Sequence, residues 1–221
     1  MGGDQVVPDD VRRVRIDKSV KIIPANAFDN RRRLIYVEFH DGIERIGEDA
    51  FCYCTSLRGS IKLLGVKIIG NGAFYSCSDL EDIEFGDMLE TLGSFAFHNC
   101  RSLRSLTMPS VRSIDRGAFH NCVQITDLEF GEGLETLQER AFSNCQRLGR
   151  IAMPLDCMIG GDVFSFCPKL TTVDLVGRTH LTVASLHLER WRNDTTEEIN
   201  RVNQVLPDTE EKTPVVRDWM R

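Results

Sequence analysis

The sequence lacks the long apolar run that a membrane-spanning helix requires. None of its uninterrupted apolar stretches approaches the length of about 18 residues that crosses a bilayer. Residues 1–10 also lack the basic and apolar segments of a secretory signal, and Val6 stands where a myristoylation motif needs serine or threonine. We therefore expect a cytoplasmic protein with no membrane partner, unless the first residues of a longer precursor have been removed.

Motifs for catalysis and for metal binding are also missing. The chain contains no GxSxG elbow, no phosphate-binding P-loop, no HExxH pair and no glycine-rich dinucleotide loop. Cys52 and Cys54 have no second cysteine pair nearby to complete a tetrahedral zinc site. His98 and His120 occupy equivalent repeat positions, but no carboxylate or thiol in that register completes a metal site. We expect no enzymatic activity, no catalytic residues, no metal and no cofactor.

Positive charge is too scarce for a nucleic-acid-binding surface. The 221 residues carry a formal net charge of −6, whereas a protein that binds phosphates needs a basic face that displaces counterions. The basic runs at residues 12–15 and 31–33 are short, are followed by acidic residues and have no aromatic platform beside them. We expect no nucleic-acid partner.

What the sequence does contain is a repeat of 22 or 23 residues. Seven phenylalanines follow one another at spacings of 23, 23, 23, 22, 23 and 22 residues, and the apolar positions around them keep the same register. Such a period predicts a solenoid in which each repeat buries its apolar face by stacking on its neighbours. The phenylalanines that we expect to stack in the core are Phe28, Phe51, Phe74, Phe97, Phe119, Phe142 and Phe164.

Each repeat combines a short strand with an Ala-Phe-x-x-Cys corner. Two apolar residues separated by one outward residue indicate a strand of period two. About eight parallel strands would form a sheet about 34 Å long on one face of the solenoid. The five-residue corners are too short for an α-helix, so we expect 3₁₀-like turns closed by asparagine side chains. The expected strand pairs are Val14/Ile16, Val37/Phe39, Ile61/Leu63, Ile83/Phe85, Leu106/Met108, Leu128/Phe130, Ile151/Met153 and Val173/Leu175.

Two positions depart from the repeat. Gly59 is an extra residue before the strand at Ile61 and predicts a β-bulge, because glycine tolerates unusual backbone angles. Arg31 occupies the cysteine position of the first corner. A charged side chain at that position predicts a first corner that is partly open to water, as at the end of a repeat array.

Six of the eight cysteines stand three residues after a repeat phenylalanine. Side chains stacked on successive repeats point the same way rather than toward each other, which disfavours disulfides between them. We expect free, buried thiols, in keeping with a reducing compartment. The six are Cys54, Cys77, Cys100, Cys122, Cys145 and Cys167.

After Leu175 the repeat pattern stops and helical patterns follow. Residues 183–206 place apolar side chains along one stripe, and Thr213 followed by Pro214 predicts the start of a second, short helix. The apolar side of this helix has barely begun at Arg221, so we expect the natural chain or a partner to continue there.

The chain is expected to be an α+β protein with three parts. These are an N-terminal flank (1–10), a solenoid with its strands on one face (11–180) and a helical C-terminal extension (181–221).

The repeat resembles the BspA-like class of leucine-rich repeats. Residues 103–122, LRSLTMPSVRSIDRGAFHNC, contain the Ala-Phe-x-x-Cys corner, which occurs seven times with Val163 for alanine and Arg31 for cysteine as exceptions. The resemblance covers residues 11–175 and implies a leucine-rich-repeat solenoid. Surface members of this class are adhesins. The tail is similar to the helical extension that follows such repeats in proteins of photosynthetic protists.

The outward residues of the predicted strands form the best candidate binding surface. Four carboxylates cluster at its centre, and the short side chains of Ser105 and Thr107 between them leave a trough. A rigid repeat with an acidic face and no reactive motif predicts a non-enzymatic protein-interaction module whose partner has a basic segment. Acidic residues on an exposed strand face equally serve solubility. The candidate partner-binding residues are Tyr36, Glu38, Asp82, Glu84, Ser105, Thr107, Asp127, Glu129 and Asp174.

A second hypothesis assigns the solenoid a structural role. In it the repeats are a spacer, and the helical tail drives self-association through Trp191, Val215 and Trp219.

Overall fold

The computed structural model describes residues 7–176 and 212–219. Residues 7–176 form a parallel β-solenoid of about seven turns, and each turn contributes a strand to each of two walls. The strand face consists of β1 (Arg13–Arg15), β3 (Tyr36–Glu38), β5 (Gly59–Leu63), β7 (Leu80–Phe85), β9 (Ser105–Met108), β11 (Asp127–Phe130), β13 (Arg150–Pro154) and β15 (Thr172–Val176). The second wall consists of β2 (Ile22–Ile23), β4 (Arg45–Ile46), β6 (Ile68–Ile69), β8 (Thr91–Leu92), β10 (Ser113–Ile114), β12 (Thr136–Leu137) and β14 (Met158–Ile159).

The two walls differ in continuity. The second wall is one seven-stranded parallel sheet that runs from β2 to β14. The strand face is divided into three sheets, which are β1-β3, β5-β7 and β9-β11-β13-β15. The expected strands are therefore present, but the prediction of a single continuous sheet is wrong. The interruptions lie between β3 and β5, where Gly59 adds a residue, and between β7 and β9.

The expected phenylalanine stack runs through the core. Successive rings from Phe28 to Phe164 have centroids 4.8–6.3 Å apart and interplanar angles of 4–15°. The rings from Phe51 onward are fully buried, and Phe28 on the first turn is 7% exposed. The inward residues of the strand face complete this core, as the alternating exposed and buried residues of β9 and β11 show. Burial of one ring per turn links each repeat to its neighbours.

The corners are turns rather than the 3₁₀ segments that the sequence predicted. Each corner contains two residues in the left-handed region, with φ between 50° and 63°, and a 3₁₀ helix needs consecutive negative φ values. One of them stands two residues before the repeat phenylalanine and the other two residues after it. From the first corner to the seventh, these pairs are Asn26/Asn30, Asp49/Tyr53, Gly72/Ser76, Phe95/Asn99, Gly117/Asn121, Arg140/Asn144 and Asp162/Phe166.

Three of the four corner asparagines that follow a repeat phenylalanine also bond differently from the prediction. Asn99, Asn121 and Asn144 connect neighbouring turns, whereas Asn30 accepts from Arg32 Nε within its own corner. Asn144 donates from Nδ2 to Oδ1 of Asn121 at 2.7 Å, and Asn121 donates in the same way to Asn99. Asparagine therefore suits this position for two reasons. Its backbone tolerates the left-handed region, and its side-chain amide forms hydrogen bonds along the solenoid axis.

The two departures from the repeat have separate outcomes. A register shift between Gly59 and Ser60, with φ of 79° at Gly59, confirms the predicted bulge. The first corner is less open to water than the arginine suggested, since the Arg31 side chain is only 14% exposed. Its Nε donates to the Val7 carbonyl at 2.8 Å, and its Nη1 lies 3.1 Å from the Asp9 carboxylate. The N-terminal flank thus covers the first turn.

A short helix, α1 (Thr213–Trp219), packs on the last turn of the solenoid. The Phe164 N–H donates to Thr213 Oγ1 at 2.9 Å, Arg217 donates to the Gly160 carbonyl, and Val216 is buried in the core. In preceding turns the phenylalanine N–H donates to the next corner, as Phe119 does to Ala141 at 2.8 Å. Thr213 therefore replaces the acceptor that an eighth corner would supply.

The fold class is corrected accordingly. Apart from the seven residues of α1, the described part of the chain is a β-solenoid, so α+β is the wrong class for it. The predicted helix at 183–206 and most of the extension lie outside the described residues. No helix in residues 7–176 or 212–219 has the length and apolarity of a membrane span.

Candidate functional site: the strand face

The strand face presents the nine candidate residues outward. Parallel register aligns them in two columns, because Asp127 pairs with Ser105 and Glu129 pairs with Thr107 on the neighbouring strand. All nine side chains are exposed or half-buried, whereas the residues between them, such as Leu106 and Leu128, are buried. The period-two pattern therefore predicted the orientation of these side chains correctly.

A depression lies at the interruption between β7 and β9. Its volume is about 330 Å³. Asp82 and Glu84 line it from β7, Ser105 and Thr107 line it from β9, and Ser60 lies on the far side of the acidic pair. The sequence predicted a trough at Ser105 and Thr107 with an acidic pair on each side, and the lining of the depression contains only one of the two pairs. Asp127 and Glu129 lie one strand further on, outside its lining.

The remaining three candidates lie toward the ends of the strand face. Tyr36 and Glu38 are on β3, in register with Arg13 and Arg15 of β1. The Arg13 guanidinium carbon is 5.0 Å from the centre of the Tyr36 ring, a cation–π contact. Asp174 lies at the opposite end, on β15. The structure does not bring these three residues to the central depression.

Ion pairs neutralise two of the candidate carboxylates on the strand face. Lys62 Nζ lies 2.7 Å from Glu84 Oε2, and Arg150 Nε donates to Asp174 Oδ2 at 2.6 Å. The Glu84 carboxylate raises the pKa of Lys62 through this hydrogen bond. Within the described residues, Asp82, Asp127 and Glu129 have no cation within 4.0 Å. Their charge remains available to a partner.

The cysteine column has a role that the sequence did not reveal. Each of the six thiols donates to the carbonyl of the phenylalanine one turn earlier, as Cys100 Sγ does to the Phe74 carbonyl at 3.2 Å. All eight cysteines are buried, and the six of the column are fully inaccessible. Burial raises the pKa of the Cys54 thiol to about 12. These thiols are structural donors with little reactivity at neutral pH.

A row of stacked rings lies beside the phenylalanine core. Tyr75, His98 and His120 stack with centroids 4.7 and 5.0 Å apart, and Phe95 meets His98 edge-on. Burial, together with the nearby His120 and Arg101, lowers the pKa of His98 to about 4. The His98 Nδ1 atom is buried without a hydrogen-bond partner. No group of three or more potential metal ligands occurs among residues 7–176 and 212–219.

Similar solved structures are leucine-rich repeat proteins of bacteria. A leucine-rich cell surface protein from Faecalibacterium prausnitzii A2-165 is 28% identical to this chain, with a TM-score of 0.65. The match covers 76% of this chain and 48% of that protein. A T. pallidum leucine-rich repeat protein is 26% identical to this chain, with a TM-score of 0.66, and the match covers 72% of this chain and 77% of that protein. This chain thus spans about half of the first protein. No curated protein matches it.

The repeat itself matches a family model. The model describes the BspA type leucine-rich repeat region, and its six copies match residues 9–70 and 67–183. Repeats of this kind commonly act in protein interactions and are typically non-enzymatic. Since the match covers more than half of the sequence, the chain belongs to the BspA-type leucine-rich repeat family.

Proposed function

We propose that the protein is a non-enzymatic interaction module that binds a basic segment of a protein partner on its strand face. The observation that carries this proposal is the depression between β7 and β9, with Asp82 and Glu84 on one side and Ser105 and Thr107 on the other. Asp127 and Glu129 extend the acidic surface by one strand. Asp82, Asp127 and Glu129, which no cation of the described residues pairs, give this part of the rigid face a negative charge that attracts a basic segment and speeds encounter.

The ion pairs refine this surface. Glu84 already binds Lys62, so an incoming cation competes with an intramolecular one there. Asp82 has no such competitor among the described residues, and it lines the depression. We therefore expect Asp82 to be the main anchor, with Asp127 and Glu129 contacting the next basic residues of the bound segment.

The test uses the full chain and a fluorescent lysine- and arginine-rich peptide, with an acidic peptide of the same length as its counterpart. Fluorescence anisotropy is measured for wild type and for Asp82→Asn/Glu84→Gln/Asp127→Asn/Glu129→Gln. Exposed charge contacts contribute a few tenths of a kcal/mol each, so losing four should weaken binding about tenfold. Raising salt from about 0.05 to 0.5 M should weaken wild-type binding similarly, because screening shortens the range of the attraction.

A matched control separates this site from general attraction to an acidic protein. The variant Glu48→Gln/Asp87→Asn/Glu132→Gln/Asp156→Asn removes four exposed acidic charges away from the strand face. It should bind like wild type, and both variants should unfold near the wild-type temperature because none of these side chains is in the core. Equal weakening by both variants, or binding that is insensitive to salt, would contradict the proposal.

Deletion of the tail is not a suitable control. The buried Val216 and the Thr213 hydroxyl bound by the Phe164 N–H belong to the end of the solenoid, so truncation before residue 212 would uncover the last turn. The self-association proposed for Trp191, Val215 and Trp219 concerns side chains outside the described set. Self-association through the tail stays an alternative hypothesis, which single substitutions of these three residues in the intact chain would test.

A further inference from the structure

One column of the second wall carries a charged residue on each of six successive turns, and the sign in this column alternates from turn to turn. Each residue stands immediately before a strand of this wall. From the second member onward, the backbone N–H of each donates to the carbonyl of the one before at 2.8–2.9 Å, which places the six in a straight row. We call this row the charge ladder. Its members are Lys21, Glu44, Lys67, Glu90, Arg112 and Glu135.

Neighbouring members of the charge ladder form ion pairs within the chain. Glu44 lies 3.3 Å from Lys21 and 3.4 Å from Lys67, and Arg112 binds Glu135. These side chains nevertheless remain 39–74% exposed. Exposed pairs of this kind add little to stability, and their charges remain accessible to a second molecule.

Three apolar side chains are exposed in the adjacent column of the same wall, whose other positions are Arg45, Thr91, Ser113 and Thr136. Ile22 is 57%, Ile68 is 37% and Met158 is 68% exposed. All three occupy the first position of a strand in the seven-stranded sheet, directly beside the charge ladder. The wall thus combines a row of charges with three exposed apolar side chains that a second molecule could cover.

When the charge ladder of one copy is placed against that of a second copy in reverse order, every positive residue faces a negative one. We propose that two copies of this chain pair through their second walls in antiparallel orientation, related by a two-fold axis parallel to the strands. Such an axis reverses the order of turns and keeps each column opposite itself, so it forms an isologous interface. Lys21 then faces Glu135 of the second copy, Glu44 faces Arg112, and Lys67 faces Glu90, each twice.

The size of the wall sets the strength of this pairing. Seven strands cover about 29 Å along the solenoid and five residues cover about 16 Å across it, so two copies bury on the order of 900 Å². Interfaces below about 1,200 Å² belong to weak, transient complexes. The dimer should therefore dissociate on dilution and in high salt. The strand face lies on a separate wall, so both copies keep their proposed binding surface.

Charge reversal at the two-fold axis gives a specific test. Lys67→Glu brings two glutamates together twice across the axis, and Glu90→Lys does the same with two lysines. Each variant alone should weaken self-association about tenfold or more, because opposed like charges are strongly unfavourable. In an equimolar mixture, the glutamate introduced at position 67 of one variant faces the lysine introduced at position 90 of the other. The heterodimer should therefore regain the wild-type dissociation constant.

Sedimentation velocity on the full chains over a dilution series measures these states, and thermal unfolding confirms that each variant is folded. Recovery in the mixture supports the interface, because intramolecular ion pairs within each chain are unaffected by mixing. Three results would overturn it. They are a wild type that stays monomeric at low salt, self-association that both reversals leave unchanged, and variants that remain monomeric when mixed.

Discussion

Replacing the central ring of the phenylalanine stack should destabilise the protein more than replacing the terminal ring. Phe97 is fully buried, stacks on Phe74 at 5.0 Å and on Phe119 at 5.2 Å, and meets Phe85 edge-on at 6.0 Å. Among residues 7–176 and 212–219, Phe28 has a single stacking partner, Phe51 at 4.8 Å, and it is slightly exposed. Phe97→Ala thus removes ring contacts on both sides of the turn.

The magnitude follows from cavity formation and from ring contacts. Truncation of a buried phenylalanine costs about 3–5 kcal/mol. Each aromatic contact contributes about 0.5–1.5 kcal/mol to stability. Because Phe97 has more ring contacts than Phe28, the cost of Phe97→Ala should lie in the upper half of the range and the cost of Phe28→Ala at or below its lower end. For a chain of this size, 1 kcal/mol shifts the melting temperature by about 2–4 °C, so Phe97→Ala should lower it by about 8–20 °C.

Chemical denaturation measures both variants, with Phe97→Leu as the control that keeps most of the volume but loses the ring contacts. The expected order of stability is wild type, then Phe97→Leu, then Phe97→Ala. Equal loss for Phe28→Ala and Phe97→Ala would refute the argument that coupling to two neighbours raises the cost of a central ring.

Two further predictions concern titratable groups. The pKa of His98 is lowered to about 4 in the fold, from about 6.5 in the unfolded chain, so its neutral form is favoured and stability falls as pH drops below about 6.5. The variant His98→Ser carries the residue that Ser143 supplies at the equivalent position of another turn. Between about pH 6.5 and 4 it should lose less stability than wild type, measured as the shift of the urea unfolding midpoint. Equal losses in the two proteins would contradict this prediction. The buried thiols should react with an alkylating reagent only in denaturant, because burial raises the pKa of Cys54 and of Cys157 to about 12. Mass spectrometry counts the labelled cysteines, and either rapid labelling of the native protein or three or more disulfides would contradict the prediction of buried, reduced thiols.

The repeat period predicted most of the fold. Spacing of the phenylalanines predicted the stack, and alternation on the strand face predicted which way Asp82 and Thr107 project, because both are set by regular backbone geometry. The charge ladder was equally readable, since its members recur at 22 or 23 residues with alternating sign.

Other features depend on backbone details that composition does not reveal. The left-handed corner residues had a partial signal in asparagine and glycine, but Tyr53, Phe95 and Phe166 occupy the same positions, where aromatic residues are uncommon. The interruption between β7 and β9 and the docking of Thr213 on Phe164 involve long-range contacts without a repeated pattern. Sequence therefore located the candidate residues, while the structure showed that only four of the nine line the depression.

The charge ladder also restricts how this protein can change in length during evolution. Loss or duplication of one internal repeat would preserve the phenylalanine stack and the hydrogen bonds that the thiols donate, since both recur in every turn from the second to the seventh. On the second wall, however, loss of the Glu44 turn would place Lys21 beside Lys67, whereas loss of two consecutive turns keeps the alternation. The alternation of charge along this wall is therefore kept only when repeats are gained or lost in even numbers.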